Sequence, residues 1–205
     1  MKKFTLFIFS VILCTGAMNA GNFGGEVELG VNVSTMTKFD SKVGFRIGFR
    51  GIMNIPEIAN GVYVNGGLFI SKKGGQTEEV GESKSNVINI SSSAYYLEVP
   101  IHFGFRCELI DAVSVFSEIG PYFGAGLFGD TKVKTSQIGE DKFHTFGEDN
   151  LLKRVDFGIG IRAGIIIFKQ VPVAIGYDFG LTNSSTVEDM KIKHGNFTAS
   201  IGWIF

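Results

Sequence analysis

Between Tyr95 and Leu109 the chain runs YYLEVPIHFGFRCEL, in which every second residue is apolar and the residues between them include Glu98, His102 and Arg106. Successive side chains of an extended strand point to opposite faces, so this alternation describes a strand with two unlike sides. One side carries Tyr95, Leu97, Val99, Ile101, Phe103, Phe105 and Cys107; the other carries Tyr96, Glu98, Pro100, His102, Gly104 and Arg106. The second side cannot line a dry core, because an ionised group without a partner costs several kcal/mol to desolvate.

The same division recurs along the chain. Val27, Leu29, Val31 and Val33 oppose Glu26, Glu28, Gly30, Asn32 and Ser34, and Phe45, Ile47 and Phe49 oppose Arg46, Gly48 and Arg50. Further on, Phe157, Ile159, Ile161, Ala163, Ile165 and Ile167 oppose Asp156, Gly158, Gly160, Arg162 and Gly164. Val173, Ile175, Tyr177 and Phe179 oppose Ala174, Gly176, Asp178 and Gly180, and Phe197, Ala199, Ile201, Trp203 and Phe205 oppose Asn196, Thr198, Ser200 and Gly202. With less regular strands near Gly61 to Ser71 and Val113 to Phe128, the pattern predicts eight strands.

Their connections alternate in length. Asn54 to Asn60, Glu108 to Ala112 and Lys169 to Gln170 are short; Lys72 to Ile90, Gly129 to Leu152 and Thr182 to His194 are long and polar, and Thr35 to Lys42 is intermediate. This is the signature of an eight-stranded antiparallel up-and-down transmembrane β-barrel, with short periplasmic turns and long extracellular loops. The competing architecture, a soluble eight-stranded barrel, would put the apolar face inside and the charges outside. Here lipid takes the apolar face, and a polar, side-chain-filled interior takes the charges.

Targeting agrees with that destination. Residues 1–20, MKKFTLFIFSVILCTGAMNA, have the basic start, apolar run and small-residue end of a secretory signal peptide. Cleavage is expected after Ala20, with Ala17 as the alternative, leaving residues 21–205 as one barrel domain. Loss of Lys2 and Lys3 takes the net charge from −1 to about −3, with no basic excess to bind nucleic acid. Only Cys107 remains, so no internal disulfide forms. The 28 glycines, about twice ordinary usage, are expected to make room inside a narrow barrel for its arginines.

The inward face is expected to hold Glu26, Glu28, Glu98, Glu118, Asp156 and Asp178 against Arg46, Arg50, Arg106 and Arg162, with His102 among them. Glu98 and His102 lie about 13 Å apart along one strand, so partners must come from neighbouring strands. A turn centred on Ile110 would set His102 opposite Glu118 and Glu98 opposite Tyr122, and one centred on Gln170 would set Arg162 opposite Asp178. The plain reading is a set of ion pairs plugging the barrel; the sharper one is a buried acid/base site on His102 and Glu118. His102, His144 and His194 are isolated, there is no nucleophile motif, and GIGIRAG at Gly158 to Gly164 fits an inward strand row better than a phosphate loop. No catalytic residue, metal or cofactor is expected. Tyr95, Tyr122, Phe123, Phe157, Tyr177, Phe179, Trp203 and Phe205 sit near strand ends, where interfacial aromatic girdles lie. Phe205, with Trp203 two residues before it, looks like the terminal aromatic signal read by barrel-assembly machinery.

The stretches GVNVSTM, GLFISKKGGQ, YYLEVPIHFGFR, GPYFGAGLFG, DFGIGIRAGI, YDFGLTNSS and FTASIGWIF resemble, in order, the PorT-like outer-membrane β-barrel family common in Bacteroidetes. His102 departs from the apolar residue that pattern leads one to expect. The resemblance implies an eight-stranded outer-membrane barrel in a functionally broad family, some members of which are linked to protein secretion. The expected role is non-enzymatic: a scaffold displaying extracellular loops, or an accessory in secretion or envelope integrity. A lipid-modifying enzyme and a narrow solute pore are the alternatives. Expected partners are outer-membrane lipid, the assembly machinery during insertion, and a secretion or surface partner met through the loops. The Gly129 to Leu152 loop, with Lys132, Lys134, Phe143, His144 and Phe146, is the candidate contact surface.

Overall fold

The computed structural model describes residues 22–36, 39–80, 87–135, 139–146, 153–182 and 194–205. The signal segment lies outside them. Among the described residues nine antiparallel strands follow in chain order: β1 (Phe23–Met36), β2 (Phe39–Asn54), β3 (Val62–Val80), β4 (Val87–Ile110), β5 (Val113–Thr135), β6 (Gly139–His144), β7 (Val155–Ile167), β8 (Val171–Gly180) and β9 (His194–Ile204). Eight of them close a ring, running β1-β2-β3-β4-β5-β7-β8-β9 and back to β1. The short β6 stands outside the ring, pairing only with Asp130–Thr135 at the far end of β5.

The polarity is that of a membrane barrel. Glu28 is 2% exposed while its neighbour Leu29 is 56% exposed, and the contrast repeats at Arg50 (2%) and Phe49 (57%). Soluble monomers rarely expose apolar surface on this scale, whereas a bilayer requires it. Closure leaves the ladder with no unpaired edge inside the membrane.

Three expectations need correction. Much of Lys72 to Ile90 and Gly129 to Leu152 is strand and not loop, because β3, β4 and β5 continue past the apolar band and β6 extends that arm. The hairpin registers differ by two residues from those expected. Glu118 lies opposite Gly104 and Glu98 opposite Gly124 across β4–β5, and Arg162 lies opposite Gly176 across β7–β8, leaving Asp178 opposite Gly160. The third concerns glycine. Aromatic side chains, not arginines, occupy the space beside several glycines: the ring of Tyr63 at Gly104, of Phe69 at Gly48, of Phe146 at Gly126 and of Tyr122 at Gly158. A Cβ on Gly104 would lie 2.4 Å from the Tyr63 ring, and one on Gly158 would lie 2.6 Å from that of Tyr122. Tyr122, expected in the outer girdle, is therefore inside and 3% exposed.

At the turn end, Gly61 has φ of 90° and a Cβ there would meet the Arg106 carbonyl at 2.1 Å, so the β3 entry requires glycine. Phe116, Ile166 and Ala174, with Ile204 packed on them, form a small apolar cluster inside the barrel.

Candidate functional site

The interior is a layered ion network. In one layer Arg50 and Arg162 each reach the same three carboxylates, Glu26, Glu28 and Glu118. Arg50 pairs closely with Glu28, its Nη1 lies 3.2 Å from Glu118 Oε2 and its Nε 3.7 Å from Glu26 Oε2. Arg162 Nη2 lies 2.8 Å from Glu26 Oε1 and 2.9 Å from Glu28 Oε2, and its Nη1 lies 3.2 Å from Glu118 Oε1. The Tyr63 hydroxyl donates to Glu118 Oε1 at 2.8 Å, and His102 Nδ1 lies 3.6 Å from Glu118 Oε2.

A second layer is built on Glu98, which Arg46 and Lys73 share. Arg46 Nε lies 3.9 Å from Glu98, and its Nη1 donates to Asp178 Oδ2 at 3.5 Å; Asn196 donates to the same oxygen at 3.3 Å. Lys73 pairs closely with Glu98 and lies 3.4 Å from Asp156, which also accepts from Tyr122 and Thr182. The side of each cation not facing a carboxylate meets an aromatic face: Arg46 and Arg50 lie 4.3 and 5.1 Å from the centre of the Phe69 ring, and Arg162 lies 4.8 Å from that of Phe116. Buried charges held this way are compensated on both sides.

The structure thus brings together Arg46, Arg50, Glu98, Glu118, Arg162, Asp178 and His102; His102 keeps its expected neighbour Glu118, while Arg162 and Asp178 take other partners than expected. Arg162 does not pair with Asp178; its carboxylates come from β1 and β5, and Asp178 takes Arg46 from across the barrel. Arg106 stands apart near the turn end, donating to Asn54 Oδ1 at 3.0 Å with its guanidinium 5.6 Å from the Tyr63 ring centre. Lys73, 2% exposed, was hidden from sequence reasoning inside an apparent loop; its odd parity beside outward Lys72 was the available signal. Trp203 on β9 and Phe205 just past its end are exposed.

What this arrangement can do chemically is limited by its packing. The interior cavity lined by Arg46, Arg50, His102, Arg162 and Asp178 has a volume of about 20 Å³, and that beside Glu26, Tyr63 and Glu118 about 10 Å³. Each is close to the minimum for a single water. No group of three His, Cys, Asp or Glu side chains suited to a metal occurs among the described residues. Phe146, expected on the contact surface, is 5% exposed and packs edge-on against inward Tyr96 with ring centres 5.5 Å apart, so it helps to cap the interior.

Ail, the attachment invasion locus protein of Yersinia pestis, aligns over 90% of this chain and 99% of its own at 16% identity, with a TM-score of 0.46. OprG of Pseudomonas aeruginosa aligns over 90% and 96% at 8% identity and 0.48. Neisserial surface protein A aligns over 88% and 96% at 11% identity and 0.42. No curated protein matches the chain. The outer membrane protein beta-barrel domain matches residues 17–186. The chain therefore belongs to the outer membrane protein β-barrel domain family, and its place is the outer membrane of a Gram-negative bacterium.

Proposed function

We propose that the protein is a non-enzymatic scaffold of the PorT-like kind from Bacteroidetes, which anchors extracellular arms in the outer membrane and serves secretion or envelope integrity through a partner that binds them. The observation that carries this reading is a contrast of design. The membrane-level interior is locked by charges and aromatic rings, while β3, β4, β5 and β6 spend many residues on strands that continue past the apolar band. A filled interior of eight strands suits anchoring better than transport. The lipid-modifying alternative would need acid, base and nucleophile open to a lipid near one rim; His102 and Glu118 instead lie buried within the plug.

The test is complementation. In a strain lacking the gene, levels of secreted protein and sensitivity to detergent are measured after return of the parent chain or of a chain whose Thr131–His144 arm is replaced by a tight turn. The arm-replaced protein is expected to reach the membrane and fail to complement; full complementation would overturn the reading. Turnover of labelled lipid A or phospholipid by the purified parent would favour the enzyme instead.

Trp203 and Phe205 belong to the same proposal as the signal for the assembly machinery. Phe205→Asp should lower membrane levels in cells far more than it lowers folding yield in detergent micelles; equal membrane levels would remove that role.

A further inference from the structure

The apolar band ends abruptly on one flank of the barrel. On β4 its outward residues run from Phe105 to Tyr95, eleven residues, the length a tilted strand needs to cross hydrocarbon. Tyr95 marks the outer edge, its ring stacked on Phe128 with centres 4.6 Å apart and edge-on to Phe45 at 6.2 Å. Immediately beyond this girdle the outward residues turn cationic. Lys72, opposite Tyr95 on β3, holds its ammonium 5.9 Å from the Tyr95 ring centre. Lys132 on β5 lies opposite Ser91, with buried Thr131 beside it pointing in.

Lys42 completes the group. Its ammonium donates to Ser91 Oγ and Ser93 Oγ, both at 2.8 Å, and to the Ser92 carbonyl at 3.1 Å. The positive charge is thereby fixed in place, and each serine hydroxyl, which accepts from Lys42, keeps its own proton to donate. Lys72 and Lys132 are near enough to repel the Lys42 ammonium. Neither Lys42 nor Lys72 has a carboxylate partner among the described residues, and Asp130, opposite Ser93, shares this face with them.

We propose that Lys42, Lys72 and Lys132, with the hydroxyls of Ser91 and Ser93, form a site for the phosphate of an outer-leaflet glycolipid of the lipid A class. Three cations near one another, with Lys72 beside the Tyr95 ring at the acyl–headgroup boundary, suit an anion anchored at that depth, with its acyl chains against Phe45, Tyr95 and Phe128. Phosphate oxygens accept from the Lys72 and Lys132 ammoniums and from the two serine hydroxyls, while Lys42, whose three N–H groups are already given to the serines, adds its charge. The site rests on membrane placement and not on the arm-display reading; the arm replacement removes Lys132, so the Lys42 and Lys72 variants, whose arm is intact, separate loss of lipid binding from loss of complementation.

The test is retention of lipid by the folded full-length protein, read by native mass spectrometry from detergent micelles supplied with bisphosphorylated lipid A. The parent should retain it, and Lys42→Gln with Lys72→Gln should weaken retention about tenfold or more. Lys169→Gln at the opposite rim should leave it unchanged. Lys132→Gln, on another strand, supplies an independent arm if the double variant fails to show the heat-dependent mobility shift of a folded barrel. Equal retention by these variants, equal retention of dephosphorylated lipid A, or displacement by equimolar inorganic phosphate would overturn the proposal. Preferential capture of dextran sulfate over lipid A would do so as well, by making the site one for soluble polyanions.

Discussion

Gly104 faces Tyr63 across the β3–β4 ladder, and the Tyr63 hydroxyl beyond it holds Glu118 in the shared grip of Arg50 and Arg162. A methyl group at position 104 is thus felt at the centre of the ion network. Gly104→Val should destabilise the barrel by about 1 to 3 kcal/mol in urea unfolding from lipid vesicles, and combination with Tyr63→Ala should recover part of that loss. Fully additive losses would mean that the ring does not use the glycine's space. Asp178 offers a second residue-level check. Removing one member of a buried ion pair costs about 3 to 5 kcal/mol, and the cost shrinks when its partner goes too. A double-mutant cycle of Asp178→Asn with Arg46→Gln should therefore show strong coupling, and the cycle with Arg162→Gln much less; the reverse order would return Asp178 to Arg162.

At the scale of elements, β6 is the one strand among the described residues that takes no part in the ring, pairing with β5 alone. Replacing Gly139–His144 by a glycine-serine linker should leave the mobility shift on boiling intact, since β4–β5 and β5–β7 still close the ladder. Loss of the shift would show that the arm supports closure. Strand existence and facing were legible in the sequence because period-two alternation is local and membrane burial makes it strict, as at Val27 to Ser34 and Phe157 to Gly164. Strand length was not, because Lys73, Gln76 and Thr77 lie in a β3 extension that no longer needs an apolar outer row. Register failed for a different reason. The β7–β8 turn bends at Phe168 and Lys169, with φ of 52° and 60°, and neither is the glycine or asparagine that usually marks such a position. A shift of two residues kept the charged residues inside and left His102 beside Glu118, but it moved Asp178 from Arg162 to Arg46, so the charged residues were legible and most of their pairing was not.

The whole molecule is a plugged cylinder. Purified protein in planar bilayers should give no large, steady conductance, since the rings of Phe69 and Phe116 and the paired guanidiniums fill the section through which ions would pass. Reproducible porin-sized steps would make transport the leading function. Ring closure has a further consequence, in time. Every neighbouring pair of staves except one can form as a hairpin or short excursion, at modest loop-closure cost. The exception is β1 with β9, where Val27 meets Trp203 and Leu29 meets Ile201. That seam has nearly the whole described chain as its loop, so it is the slowest contact to find. Until β9 is delivered, the nascent sheet carries two raw edges open to proteases and to other chains. The interval before β9 arrives is the hazardous stage of this protein's biogenesis, and an escort that shields β1 during it would protect every strand that follows.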